Sequence, residues 1–194
     1  MSSKSRFLAE VIESSLTRFK SQCWDRDEVP FFGSLMVSEK GASKIFGIVQ
    51  SIMILSDDPS RHIAAYKKTE AELLRDQPQI FAFIKTFFYS LVVGYEENNR
   101  IFYTFSSQPL ALHNFVREAT REEYKMFFKK HEYLHVLCGQ ASLIDSIDEL
   151  LLAVVQNFKR NDVFEEVIDL FVDQYSLLNS GDYRRVKYFL ERIE

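Results

Sequence analysis

The second half of this sequence holds five consecutive residues with the types and spacing of a hydrolytic metal centre. In His131-Glu132-Tyr133-Leu134-His135 two imidazoles stand one helical turn apart, with a glutamate beside the first. On a helix this spacing aims two nitrogen ligands at one zinc ion and leaves the carboxylate to activate a bound water. Cys138 continues the same face. Asp145, Asp148 and Glu149 lie 10 to 14 residues beyond His135, and Glu149, on the following predicted helix, is the best placed of them as a third ligand. A small zinc-dependent hydrolase is thus the alternative reading of the chain. Against it, Tyr124, Phe127, Phe128 and Cys138 share a stripe at about 100° per residue with both histidines at its centre. That pattern predicts neutral, core-facing imidazoles with no metal, no cofactor and no catalytic residue.

Other chemistry is harder to find. No Gly-x-x-x-x-Gly-Lys-Ser/Thr loop is present to cradle phosphates, and the stretch Gly33 to Lys44 has the wrong glycine spacing and no helix signal after it. His62 and His113 have no evident partner and read as surface or packing residues. Lys125, Lys129 and Lys130 share a helix with Glu122, Glu123 and Glu132, which predicts a solvated, charge-paired face. Arg184, Arg185 and Lys187 could meet an acidic partner. Overall 24 basic and 28 acidic residues leave a net charge of −4; residues 1–119 balance at 14 and 14, and residues 120–194 carry 10 and 14. This is a poor footprint for nucleic acid. Cys23 and Cys138 stand far apart, with no signal-peptide core and no apolar run of about 18 residues. The expectation is two buried thiols in a reducing, cytoplasmic setting away from membranes.

The elements that must position these residues change character near Pro109. Before it, short β-branched and aromatic runs predict strands at Leu8 to Glu13, Leu16 to Trp24, Phe32 to Ser38, Lys44 to Leu55, Thr86 to Tyr95 and Arg100 to Ser106. A helical insertion near 69–77 opens on the capping box Thr69/Glu72 and stops at Gln77-Pro78. Closure into a six-stranded barrel suits so much exposed Phe and Val better than an open sheet. Gly33, Gly47 and Gly94 lie in or beside predicted strands, where a missing side chain permits a bulge or a close backbone crossing. After Pro109 the apolar spacing turns to three and four. Helices are expected from capping residues Thr120, Ser142, Asn161 and Asp182, and the second carries the stripe Leu143, Ile144, Ile147, Leu150, Leu151, Val154, Val155 and Phe158. The fold class is therefore α+β, with a β domain over 1–115 and a helical bundle over 116–194 packed on it. Alternation sends about half of the many rings of the β part, from Phe31 and Phe32 to Phe105, outward, and those need that cover.

The first half also carries a resemblance. The run from Ala9 to Cys23, then Phe32-Gly33-Ser34-Leu35, Ile45-Phe46-Gly47-Ile48-Val49, Val93-Gly94-Tyr95 and Pro109 to Val116 together resemble a HAS barrel. That barrel is named for HerA-type DNA translocases and rotary ATP synthases, where it precedes the motor and helps to arrange subunits in a ring. The whole chain is similar to bacterial proteins that pair such a barrel with a helical part and lack the motor. The resemblance implies a non-enzymatic interaction or assembly module, working through a protein partner or self-association, with an adaptor to a HerA-like ATPase as one form of it.

Overall fold

The structure is a computed structural model that describes residues 7–41, 43–56 and 65–193. His62 lies outside them. β1 (Ala9–Ser14), β2 (Arg18–Cys23), β3 (Leu35–Lys40), β4 (Ser43–Ser56), β5 (Ile84–Glu97), β6 (Arg100–Phe102) and β7 (Phe115–Glu118) form one antiparallel sheet in the order β2-β1-β7-β3-β4-β5-β6. A further pairing of β2 with β5, from Arg18↔Leu91 to Gln22↔Phe87, joins the sheet to itself. The result is the closed six-stranded barrel that the alternation predicts, with one change of membership. The run from Arg100 is only three residues of strand and hangs outside the ring as a hairpin on β5. The ring is closed instead by β7, which sits between β1 (Ala9↔Val116) and β3 (Val37↔Arg117). The β part thus runs to Glu118, past the expected break after residue 115.

Both faces of one barrel sector are apolar. Met36, Ile45, Val49, Phe88 and Val92 point inward and pack with Ala9, Val11, Phe19, Cys23 and Val116. On the same strands Leu35, Val37, Phe46, Ile48, Leu91 and Val93 point outward, into a second core shared with the helices. This is why Ile45-Phe46-Gly47-Ile48-Val49 reads as an unbroken apolar run, whereas β2, covered on one side only, alternates. Gly47 belongs to the inner face. A Cβ there would stand 2.7 Å from the ring of Phe19 and 2.9 Å from Ser90 Cβ, so the glycine makes room for a ring crossing the barrel.

The second part comprises α3 (Arg121–Phe128), α4 (Glu132–Gly139), α5 (Ile147–Arg160), α6 (Phe164–Leu178) and α7 (Tyr183–Glu191), after the insertion helices α1 (Glu70–Asp76) and α2 (Gln79–Ala82) between β4 and β5. The Thr69/Glu72 and Thr120/Glu123 capping boxes form as expected, as does the Asp182 cap, which accepts from Arg185 N–H. Three expectations shift. The first helix breaks at Lys129–His131 into α3 and α4. The cap of α5 is Ser146, which accepts from Glu149 N–H, while Ser142 falls in a 3-10 turn. Asn161 ends α5 rather than starting α6, and its amide donates to Asn157 O at 3.0 Å.

A polar seam fastens the helices to the barrel. Tyr124 Oη accepts from Leu35 N–H at 2.8 Å. Asn157 on α5 donates to Phe32 O (2.9 Å) and accepts from Ser34 Oγ (3.2 Å). Gly33, with φ of +78°, lets this loop approach so closely that a Cβ would stand 2.7 Å from the α5 backbone at Ala153 and Val154. Gly94 is a similar crossing, against Phe102 O. Glu123 joins three elements. Its carboxylate accepts from Arg117 of β7 at 2.7 and 2.9 Å and from Thr120 N–H at 2.9 Å, and it pairs with Lys44 of β4 at 3.1 Å.

Two predictions follow from the seam. The six outward side chains of the shared core each contribute about 1.5–3 kcal/mol on burial, together comparable to a whole domain's stability of about 5–15 kcal/mol. Residues 1–119 expressed alone should therefore aggregate by size-exclusion chromatography, where the full chain runs as a discrete species. For Glu123, burial raises the carboxyl, but Arg117, Thr120 and Lys44 outweigh it and hold the group at about 2, below its ordinary 4.5. A depressed carboxyl stabilises fully above its unfolded value, and that contribution is lost as pH falls toward 2. Its size is on the order of 3 kcal/mol. Urea titrations of Glu123→Gln should show lower stability at neutral pH and a flatter decline between about pH 5 and about pH 2 than the parent.

Candidate functional site

The sequence directs attention first to α4. His131 does not lie inside a helix but at the N-cap of α4, and its side chain makes no capping bond. The buried face of α4 is Tyr133, Leu134 and Leu137, so the histidines do not occupy the middle of the apolar stripe. The break at Lys129–His131 resets the helical phase, and the stripe carried over from Tyr124, Phe127 and Phe128 continues through different positions. His135 is exposed, and its Nε2 accepts from Gln174 Nε2 of α6 at 3.0 Å. Glu132 turns to other company. One of its carboxylate oxygens is buried with no hydrogen-bond partner among the described residues, and its charge adds to the burial that pushes the Tyr103 phenol up.

Of the remaining ligand candidates, Asp148 and Glu149 are paired with arginines and Asp145 is exposed. The Cys138 thiol is pushed up by burial and lies in the field of the Arg185–Asp148 pair, in which Arg185 donates to both oxygens at 2.7–3.2 Å and Tyr175 Oη donates to Asp148 at 3.1 Å. Glu149 is exposed and accepts from both Arg192 amino groups at 2.6 and 2.9 Å. Among the described residues no group of three or more His, Cys, Asp or Glu side chains is placed to hold a metal ion. Cys138 and Cys23 are both free, and the latter is pushed up to about 11 by burial inside the barrel. His113, expected to lack a partner, pairs with Glu10 across the β1–β7 edge. Lys125 reaches Glu166 of α6 rather than an i,i+4 neighbour.

No family model matches the chain, and no curated protein matches it. The resemblance to HAS barrels accordingly rests on the residues that carry it.

Two exposed surfaces stand out. On the barrel flank, the Phe115 ring lies 5.5 Å from that of Phe7 and 5.0 Å, edge-on, from that of Trp24. Trp24 remains 53% exposed and Phe115 47%, and Leu112 just before β7 is also exposed. The other surface is a groove of about 490 Å³ where β4 outruns its neighbour, lined by Phe32, Ile52, Ile144, Asp145, Ser146 and Glu149 among others. Pairing of β3 with β4 ends at Leu35↔Ile48, whereas β4 continues to Ser56 alongside β5. The sequence held a signal for this groove in the unequal lengths of the predicted third and fourth strands. It held none for the ring cluster, since Phe115 belongs to a strand that was not expected.

For the histidines the expected outcome is small. Replacing both (His131→Ala with His135→Ala) should leave the melting temperature within about 2 °C of the parent, because neither side chain is in the core. Elemental analysis of the purified parent should find no stoichiometric zinc; zinc bound one per chain and lost in the double variant would show a metal site at these histidines and overturn this expectation.

Proposed function

We propose that this chain is a non-enzymatic protein-interaction or assembly module whose barrel carries the contact. The observation behind this reading is the ring cluster of Phe7, Trp24 and Phe115, set on the barrel flank with Trp24 and Phe115 about half exposed. Large aromatic side chains lose little conformational entropy when docked and dominate the energetics of protein contacts. The barrel satisfies its other outward apolar sector with its own helices, whereas this cluster has no such cover among the described residues. The resemblance to HAS barrels points the same way, to a second copy of the chain or a HerA-like ATPase as the occupant. The zinc-hydrolase alternative finds no ligand set in the arrangement of His131, His135, Cys138 and Glu149.

A photoreactive phenylalanine analogue at position 115 tests the reading, with the same residue at Arg184 on α7 as the exposed control. Irradiation in cells should give a discrete adduct from position 115 and none from position 184. The same products from both positions, or none from 115, would remove the proposal.

A further inference from the structure

The groove beside β4 differs from the ring cluster in kind, because one of its walls is backbone. From Ser51 to Leu55, β4 pairs with β5 on one side (Ser51↔Tyr89 to Leu55↔Lys85), and among the described residues no strand pairs with the other side. The last backbone bonds on that side are Gly33 N–H to Val49 O and Val49 N–H to Ser34 O, both 2.9–3.0 Å. The insertion helices do not cover it. Arg26, just past β2, pairs with Glu70 at 2.9 Å and stacks on Phe81 at 4.7 Å, which ties them to the other flank of the β4–β5 arm. An unpaired strand edge offers alternating donors and acceptors, which only another extended backbone matches along its length. Beyond the groove the edge carries Ile54, 62% exposed, and Leu55, 44% exposed.

The opposite wall sets the chemistry. It is formed by Ile144, Asp145, Ser146 and Glu149, at the start of α5, with Phe32 and Ile52 as further apolar lining. Glu149 is neutralised by Arg192. Asp145 is exposed and has no ion-pair partner among the described residues. The groove is thus apolar with one uncompensated carboxylate on its rim, and lysine and arginine are the side chains that complement it.

We propose that the groove takes an extended segment of a partner protein, which adds as a strand to the edge of β4 over Ser51–Leu55 that no described strand occupies. It places an apolar side chain against Phe32, Ile52 and Ile144, and a lysine or arginine beside Asp145. The inference rests on the reading of the chain as an interaction module, but it concerns a different surface from the ring cluster.

The test is selection of a random nine-residue peptide library on the purified full chain, followed by affinity measurement of the enriched peptides. The expected consensus alternates apolar and polar residues and includes a lysine or arginine. Ile54→Lys, at an exposed position that leaves the fold intact, should weaken those peptides by at least about tenfold through loss of apolar contact and charge on the edge. Asp145→Asn should weaken them by about threefold, and only those with the basic residue. N-methylation of alternate peptide amides should abolish binding in one phase and spare it in the other. Peptides that bind Ile54→Lys unchanged would place the contact elsewhere and overturn the groove while sparing the module. A library that yields no binder overturns the groove, and cross-linking at position 115 then decides the module by itself. A concentration-dependent dimer abolished by Ile54→Lys would make a second copy the occupant and overturn the proposal in this form.

Discussion

A strand buried on both faces has to be served by two cores at once, and in this protein β3, β4 and β5 are such strands. Their inward side chains fill a six-stranded barrel whose interior is small enough that Phe19 fits only because position 47 has no side chain. Their outward side chains, Leu35, Val37, Phe46, Ile48, Leu91 and Val93, cannot be left in water and recruit α3, α4, α5 and the helices behind them. Closure by β7 determines where that cover begins. Glu118 ends the ring, Thr120 caps α3, and a single residue separates them. With no slack in the connection, the helices arrive where the outer apolar sector lies. Arg117 and Glu123, one at each side of this join, are both buried and are held as an ion pair with well-satisfied hydrogen bonds, which is the condition for charges to be tolerated at such a place.

Most of the β architecture was legible because alternation and unbroken apolar runs report burial directly. Ile45 to Val49 and Thr86 to Tyr95 could hardly be anything but strands. β7 escaped because it is four residues long, carries two charges and sits beside the proline and turn residues that mark the change of pattern. Its strand character comes from two long-range pairings, which no local window contains. The caps divided on a similar line. Thr69, Thr120 and Asp182 have helices that begin at once. Ser142 and Ser146 compete for the same helix, and it is Ser146 that accepts from Glu149 N–H.

The His-Glu-x-x-His pattern shows how a spacing can match while the described side chains around it form no group of three ligands. A zinc site on such a pair also needs a third protein ligand from a neighbouring element. Here the helix starts after His131, and the elements around α4 have other commitments. Gln174 takes His135, Arg192 takes Glu149, and Arg185 with Asp148 frames Cys138. The residues of these pairs lie 37 to 43 positions apart in sequence, so nothing near the motif could have revealed them.

A closed barrel normally leaves no strand edge, and among the described residues this one regains an edge where β4 and β5, each of 14 residues, outrun β3 and β2, each of six. What makes the regained edge selective is the distance to the wall opposite. That wall is the start of α5, and the position of α5 is set by Gly33 against Ala153 and by Asn157 holding Phe32 O. Phe32 is itself part of the groove lining. The contacts that fasten the helices to the barrel therefore also set the width of the groove and carry the Asp145 carboxylate to its rim. A bulkier residue at position 33 would push the Phe31–Ser34 loop off α5 and open the groove and the seam together, so recognition at this edge is bound to the same packing that holds the two parts of the protein in one fold.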